Sequence, residues 1–249
     1  MTNPPPKTSL ARRFLPRGLA EKLQFERYPV RQYVIREALP ALKKGMVALD
    51  AGSGSVGEQE MRDHLRATGA VMHTCDIARR SGLSFRADLH YTPVKDATYD
   101  VVICTQVLEH VREPEVVCRE LARILKPGGR LFLTTPQQAY LHDLPHHYFN
   151  FTCYALKRLM EQAGLEVVGM EPQGGHFLML GNQLHYTCNV IREMMTTPAR
   201  RALLFLPLLF CRVMFGFVTK TLCLWLDQFD TARKNTMGWN IHCHKPEAR

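Results

Sequence analysis

The chain has 249 residues, of which 46% are apolar and 22% are charged, a balance typical of a folded globular protein with one substantial core. The formal net charge is +9, but residues 1–45 carry +7 and residues 199–249 carry +5, which leaves residues 46–198 at −3. This distribution argues against a basic nucleic-acid platform in the centre of the chain, and any anionic partner, such as an anionic membrane surface, is expected to meet the flanks.

The first residues are proline-rich and basic, and they lack the apolar run of a secretory signal. We therefore expect a flexible basic tail at 1–19 and a cytoplasmic protein. A single domain is expected over 20–249. Its predicted parts are a helical cap at 20–45, a cofactor-binding core at 46–172, an apolar helical insertion at 173–237 and a terminal strand at 238–249.

Predicted strands alternate with predicted helices along the chain. An apolar run at 46–51 leads into a glycine-rich turn and a predicted helix at 57–69. Two more helices are expected, one ending before the Pro-Gly-Gly at 127–129 and one running from a Thr152 cap to Gly164. The further strands are predicted at 70–77, 84–89, 99–106, 129–136, 165–172 and 238–246.

This alternation predicts an α/β fold, a doubly wound, seven-stranded Rossmann-like sheet with an antiparallel last strand and a helical C-terminal insertion. The eight cysteines contain no C-x-x-C pair, and several lie in apolar strand-like runs, so buried thiols are expected. No metal site is predicted. Cys243 stands between two histidines, but neighbouring side chains of a strand point to opposite faces.

The glycine-rich turn after the first strand reads LDAGSGSVG, which contains the G-x-G-x-x-G spacing of dinucleotide-binding turns. Glycines alone do not identify the ligand, because bare backbone at a helix start suits many polar groups. The predicted strand ends supply three carboxylates, Asp50, Asp76 and Asp88. An acidic rim would repel the pyrophosphate of NAD and would suit the sulfonium and hydroxyl groups of S-adenosylmethionine.

Three stretches resemble the motifs of class I S-adenosylmethionine-dependent methyltransferases, in the type 11 branch that includes ubiquinone-biosynthesis methyltransferases. They read VALDAGSGS, ADLHYTPVKDATYDVV and VLEHVREPEVVCRELARILKPGGRLFLTTP, within a resemblance that covers 46 to about 172. The resemblance implies a transferase that uses S-adenosylmethionine to methylate a small molecule.

Carried onto this sequence, the resemblance implies that Asp76 accepts from the ribose hydroxyls and Asp88 from the adenine amino group. The cofactor contacts that it implies are Asp50, Gly52, Ser53, Gly54, Asp76, Asp88, Leu89, Thr105, Gln106 and Val107. A strand-end aspartate can also be a plain turn or helix cap, and this alternative stays open for each carboxylate taken singly.

Methyl transfer from a sulfonium needs alignment more than catalytic groups, but a hydroxyl acceptor would profit from a base. The segment LHDLPHHYFNF at 141–151 offers His146 or His147 as that base, with Asp143 as the orienting partner. The alternative is that this segment forms a lid with solvated histidines. Glu109 and His110, in the family signature, are interpreted as loop-shaping residues.

The apolar run at 202–226 would be about 37 Å long as a helix, but Arg212 and Lys220 oppose a membrane span. On a helical wheel one arc holds the polar residues Arg201, Arg212, Thr219, Lys220 and Asp227. This pattern favours a helix lying in an anionic membrane interface. A packed helix pair that serves as a lid or dimer face is the alternative.

The acceptor is therefore expected to be a small apolar, lipid-linked or glycan molecule. A segment by which methyltransferases grip a flipped base is missing after the fourth strand, so no nucleic-acid partner is expected. A non-catalytic S-adenosylmethionine-binding scaffold and an NAD-dependent oxidoreductase remain the alternatives in function.

Overall fold

The computed structural model describes residues 27–54, 64, 67–79 and 81–247 of the chain. The predicted tail at 1–19 and most of the predicted helix at 57–69 lie outside these residues. Within the described part, a seven-stranded sheet has helices packed on both of its faces.

The sheet follows the predicted strand pattern. Its order is β3-β2-β1-β4-β5-β7-β6, and every pair is parallel except those of the last strand, which runs antiparallel to both neighbours. The strand order reverses between β1 and β4, so the crevice beyond their carboxyl ends is where such folds bind ligands. The described strands are β1 (Val47–Ala51), β2 (Val71–Asp76), β3 (Phe85–Arg86), β4 (Tyr99–Thr105), β5 (Leu125–Pro136), β6 (Glu166–Pro172) and β7 (Gly238–His244).

Three helical segments flank the sheet. Helix α1 consists of Arg27–Tyr33, a π-helical turn and a last turn at Leu39–Ala41, and helix α2 spans Pro114–Ile124. Helix α3 (Cys153–Gln162) begins as predicted, because the Thr152 side chain accepts a hydrogen bond from the backbone N–H of Ala155.

Side chains alternate along β1 between two apolar cores. Leu49 lies in the core that α2 and α3 cover, whereas Ala48 lies in the core that α1 covers. Both residues are fully buried, as expected for a parallel strand with helices on both faces. The alternation therefore determines which face of the sheet each side chain of β1 occupies, up to the polar residues at the end of the strand.

Two strands differ from their predicted bounds. β3 contains only two residues, because the chain leaves the sheet after Arg86 and forms a short bridge between Asp88 and Tyr91. β5 begins at Leu125, directly after α2, so the Pro-Gly-Gly stretch lies within the strand, beside a register shift in its pairing with β4. The hydrophobic periodicity of one segment does not indicate where that segment pairs with a neighbouring strand.

In the last strand, neighbouring side chains at 242 and 243 point to opposite faces of the sheet, as the sequence predicts. The Cys243 side chain is fully buried in one core, whereas the His242 ring stacks on Phe132 in the other direction, with ring centroids 4.5 Å apart. All eight cysteines are free thiols, and six of them are buried, as predicted.

Contacts divide the described residues into two compact units, one that contains 174–235 and one that contains 30–173 with 236–247. The prediction of one domain over 20–249 stays a prediction. In the first unit, α4 (His176–Met194) packs against α5 (Pro198–Val213) and α6 (Thr219–Leu226), which a π-helical turn joins.

Within the described residues, the continuous helix over Pro198–Phe229 is the one that is long and apolar enough to cross a membrane, and 6% of its most apolar window is buried. The apolar face is exposed, as predicted, but two residues of the polar arc do not face water. Lys220 is 6% exposed, and Asp227 is 4% exposed because its carboxylate accepts hydrogen bonds from the backbone N–H groups of Gly175 and Leu178 at the start of α4. Asp227 thus caps the start of α4, whereas Arg201 and Arg212 of the same arc are exposed.

Candidate active site

The turn after β1 has the backbone that its glycines predict. Gly52 and Gly54 both have positive φ, at 74° and 41°. The backbone N–H groups of Gly52 and Ser53 both donate to the carbonyl oxygen of Cys75, at 2.9 Å each, which ties the turn to the end of β2. A side chain at residue 52 would collide with Val107, so the turn and the segment after β4 are in direct contact.

Asp50 and Asp76 lie where neighbouring strands end. Each residue is 8% exposed. The Asp76 carboxylate accepts hydrogen bonds from the backbone N–H groups of Gly54, at 3.1 Å, and Ala78, at 2.7 Å. These bonds fix the carboxylate beside the glycine turn.

Asp88 lies beyond the short β3 and is half-exposed, whereas the following Leu89 is buried. Its carboxylate accepts a hydrogen bond from the His90 backbone N–H at 2.9 Å and lies 2.5 Å from the His90 Nδ1 atom. Burial works to raise the pKa of Asp88, but these contacts with His90 outweigh it and lower the pKa. No sequence motif had indicated a role for His90.

The loop that carries Asp88 is fastened to α2 by Glu120. Its carboxylate accepts from the backbone N–H and the hydroxyl of Thr92, at 2.7 and 2.6 Å, and pairs with Arg123 at 2.7 Å. Burial works to raise the pKa of Glu120, but the hydrogen bonds from Arg123 and Thr92 lower it to about 2. The sequence analysis did not identify this anchor.

The segment after β4 reaches the same crevice. Thr105 pairs with Thr134 of β5, and Gln106 donates from its backbone and side-chain amides to Thr134, at 2.9 and 3.1 Å. Gln106 has a φ of 53°, a conformation that is uncommon outside glycine and that concentrates at functional sites. Val107, next along the chain, is the residue that contacts the glycine turn.

The predicted base and its partner are not arranged as expected. The His146 ring is exposed and lies 3.0 Å from the Tyr148 hydroxyl, and the His147 Nδ1 atom accepts a hydrogen bond from the His142 backbone N–H at 3.4 Å. The Asp143 carboxylate instead faces His110, with Oδ2 and Nε2 4.0 Å apart. The base thus remains a prediction, and the imidazole that faces Asp143 is a different one.

Glu109 is the residue whose importance the sequence interpretation missed. Its backbone carbonyl accepts from the N–H groups of Tyr148 and Phe149, which agrees with a loop-shaping role. Its carboxylate, however, is fully buried, and within the described residues neither oxygen has a hydrogen-bond partner. Burial, with a smaller contribution from Asp143, raises the pKa of Glu109 to about 8. The sequence feature that could have drawn attention to Glu109 is the Leu-Glu-His at 108–110, within the family signature.

Comparison with known proteins identifies relatives over most of this sheet. The family described as a methyltransferase domain matches residues 20–169. A ubiquinone biosynthesis O-methyltransferase from Aeromonas salmonicida is 32% identical over 174 residues, which cover 59% of this chain and 72% of that protein. An enzyme of the same name from Vibrio cholerae is 31% identical over 113 residues, which cover 41% of this chain and 46% of that protein.

Solved structures share the fold at low sequence identity. Haemonchus contortus phosphoethanolamine N-methyltransferase 2 in complex with S-adenosyl-L-methionine has a TM-score of 0.52 and 13% identity, covering 89% of this chain and 53% of that one. The [4+2]-cyclase SpnF has a TM-score of 0.51 and 19% identity, covering 83% of this chain and 77% of that one. Because the two differ in chemistry, the fold by itself does not decide the reaction.

Proposed function

The chain belongs to the class I S-adenosylmethionine-dependent methyltransferases, and we propose that it methylates a hydroxyl group of a small apolar, lipid-linked acceptor. The enzyme class and the cofactor follow from the family. The acceptor, the acceptor atom and the residue roles below are our proposal.

The observation that carries the proposed site is the position of the Asp76 carboxylate. It is buried, and two backbone N–H groups hold it beside the glycine turn. A carboxylate fixed at this point suits the two ribose hydroxyls of S-adenosylmethionine, because carboxylate oxygens accept strong hydrogen bonds from hydroxyl groups. The fixed geometry also means that little rearrangement is needed when the cofactor binds.

The remaining cofactor contacts follow from this anchor. We assign the methionine end of the cofactor to the turn formed by Asp50, Gly52, Ser53 and Gly54. We assign the adenine to Asp88 and the Leu89 backbone, and the path to the methyl group to 105–107. These assignments match the resemblance position by position, and the contact between Gly52 and Val107 supports a methyl path close to the turn.

In the proposed reaction, the acceptor oxygen attacks the methyl carbon in line with the sulfur. The new C–O bond forms as the C–S bond breaks, the electron pair of that bond stays on sulfur, and S-adenosylhomocysteine leaves. The hydroxyl proton must depart before or during attack, which is the step a base would assist. His146 remains the proposed base, whereas the Nδ1 atom of His147, the other candidate, already accepts from the His142 backbone N–H.

Two observations support an apolar acceptor and an oxygen as its reacting atom. The curated relatives are named as O-methyltransferases of ubiquinone biosynthesis. In the helical unit of residues 174–235, many exposed side chains of α5 and α6 are large and apolar, among them Leu203 at 75% exposed and Leu206 at 69%. Exposed apolar surface of this extent marks an interaction site.

We propose that this face of the helical unit lies in the interface of an anionic membrane, which would make the enzyme a cytoplasmic, peripherally associated protein. Residues 174–235 hold seven Lys or Arg and three Asp or Glu, so the unit has net positive charge. Positive charge attracts anionic lipid headgroups, and the apolar side chains bury in the acyl boundary.

The proposed function is tested by calorimetric titration of the purified protein with S-adenosylmethionine, S-adenosylhomocysteine and NAD. Turnover is then measured with a labelled methyl group on a lipid extract and on water-soluble phenols and alcohols. We expect binding of the first two ligands and label in the lipid fraction on an ether oxygen. Selective NAD binding, or label on water-soluble acceptors alone, would contradict the proposal.

A further inference from the structure

Two loops that leave the same edge of the sheet bring a carboxylate and three histidine rings together. Glu109 and His110 belong to a short turn after β4, whereas His142 and His147 lie in the loop after β5. Because β4 and β5 pair in parallel, both loops begin at the carboxyl ends of neighbouring strands. The ring centroids of His110 and His142 are 4.9 Å apart, and those of His142 and His147 are 4.4 Å apart.

Backbone carbonyls fix the tautomer of two of these rings, that is, which ring nitrogen carries the hydrogen. The Nδ1 atom of His110 lies 2.8 Å from the His146 carbonyl oxygen, and the Nδ1 atom of His142 lies 2.9 Å from the Tyr140 carbonyl oxygen. A carbonyl can only accept, so each Nδ1 carries the hydrogen and each Nε2 atom of the neutral ring keeps its lone pair. This arrangement is typical of histidines that bind metal through Nε2.

The buried carboxylate of Glu109 faces one of these lone pairs. Its Oε1 atom is 3.8 Å from the His110 Nε2 atom, too far for a hydrogen bond, and both of its oxygens lack partners within the described residues. One ligand atom from each of Glu109, His110 and His142 lies within 4.8 Å of the others. A cation bound between them would satisfy the oxygens of Glu109 and the lone pair of His110 at the same time.

We propose that Glu109, His110 and His142 bind a divalent first-row transition-metal ion. Two imidazoles and one carboxylate favour ions such as Zn²⁺ or Co²⁺ over Mg²⁺, which prefers an all-oxygen set. Three protein ligands leave at least one coordination position open for another molecule. The ligand atoms need to approach one another by about 1 Å to reach metal bond lengths.

His147 is not part of the ligand set. Its Nδ1 atom accepts from the His142 backbone, so the hydrogen of the neutral ring is on Nε2, a buried atom without a partner within the described residues. An N–H in that position can donate to an oxygen bound at the open position of the ion. His147 thereby becomes a positioning residue for the acceptor.

The role of the ion rests on the proposed function. A hydroxyl oxygen bound at the open position loses its proton to solvent more readily, because the ion stabilises the oxyanion. That oxygen then attacks the methyl carbon, and the electron pair of the broken C–S bond stays on sulfur. Metal binding and cofactor binding are measured separately, so the failure of one is distinguishable from the failure of the other.

The test titrates the full-length, chelator-treated protein with Co²⁺ and Zn²⁺ in the absence of S-adenosylmethionine. We expect about one equivalent of Co²⁺ to bind with visible absorption but without an intense thiolate charge-transfer band, since the proposed ligands are nitrogen and oxygen. The absence of bound Co²⁺, or a spectrum dominated by thiolate ligands, would overturn the proposal.

Three variants locate the ion. Glu109→Gln keeps the shape of the side chain and removes its charge, and His142→Ala removes a ring from the more exposed loop, so at least one of the two is expected to fold. Both should weaken Co²⁺ binding more than about 100-fold, because each removes a ligand. His146→Ala is the matched control, since only its backbone carbonyl contacts His110. Unchanged Co²⁺ affinity in Glu109→Gln and His142→Ala would also overturn the proposal.

Discussion

The Val107 side chain lies against the α carbon of Gly52, so that a Cβ atom at residue 52 would come within 2.4 Å of the Val107 Cγ2 atom. The two residues are far apart in sequence and meet where the strand order reverses, between β1 and β4. This contact lies in the crevice in which we place the methionine end of the cofactor.

Substitution of Gly52 by alanine should therefore damage both the turn and the cofactor site. We expect Gly52→Ala to lower the free energy of unfolding by about 1–3 kcal/mol, because φ is 74° and the new methyl group collides with Val107. S-adenosylmethionine affinity, measured by titration calorimetry, should fall more than about tenfold.

Gly45→Ala is the control for Gly52→Ala. Gly45 also has positive φ, at 90°, but a Cβ atom there would meet nothing within 4 Å. It should lose stability by backbone strain alone and keep its cofactor affinity. Equal cofactor affinity in the two variants would show that the contact with Val107 does not matter for binding.

Asp76→Asn tests the anchor for the ribose. An amide has the shape of the carboxylate, but it replaces one acceptor by a donor and removes the charge that strengthens hydrogen bonds to the hydroxyls. We expect calorimetry to record S-adenosylmethionine binding weakened by about 10- to 100-fold. The exposed Asp96→Asn is the control and should bind normally. If Asp76→Asn also binds normally, Asp76 is a turn cap and no more.

The Glu120 anchor predicts an acid-dependent loss of stability. The pKa of Glu120 is about 2 in the folded protein and 4.5 as its ordinary value, so the anchor contributes fully above about pH 4.5 and is lost as the pH falls towards 2. Glu120→Gln should flatten the dependence of the urea midpoint on pH over this interval. An unchanged slope would mean that other carboxylates cause the loss of stability at low pH.

Vesicle flotation tests the exposed face of the helical unit. Leu206 and Phe210 are 69% and 64% exposed on α5, and their replacement by serine together should lower binding to anionic vesicles at least about tenfold. Tyr154→Ser, on the exposed surface of α3, is the control and should leave binding unchanged. Failure of the wild-type protein to float with anionic vesicles would end the membrane proposal.

The base is tested by turnover in His146→Ala and His147→Ala, with cofactor binding measured in parallel. His146 is exposed and contacts the Tyr148 hydroxyl, so its loss should lower kcat by less than about tenfold. His147 has a buried Nε2–H group that we propose positions the acceptor, and its loss should lower kcat by about 100-fold. Full turnover in both variants would remove histidines 146 and 147 from the mechanism.

The parts of the fold that depend on local chemistry were predictable. Periodicity located the strands and helices, Thr152 indicated the start of α3, and the glycines indicated a turn with positive φ. The strand-end aspartates followed from the same reading, because the carboxyl ends of parallel strands share one edge of a sheet. These features depend on residues that are neighbours in the chain.

Contacts between distant segments decided the rest. The helical wheel placed Lys220 and Asp227 on a polar arc but did not indicate that both are buried or that Asp227 caps α4. The Leu-Glu-His at 108–110 gave the residue types but not the full burial of Glu109 or the histidines that the next loop brings beside it. The sequence by itself determined the elements and the cofactor class. Tertiary structure decided which polar groups lose water and face each other, because burial and charge proximity arise only when separate segments pack.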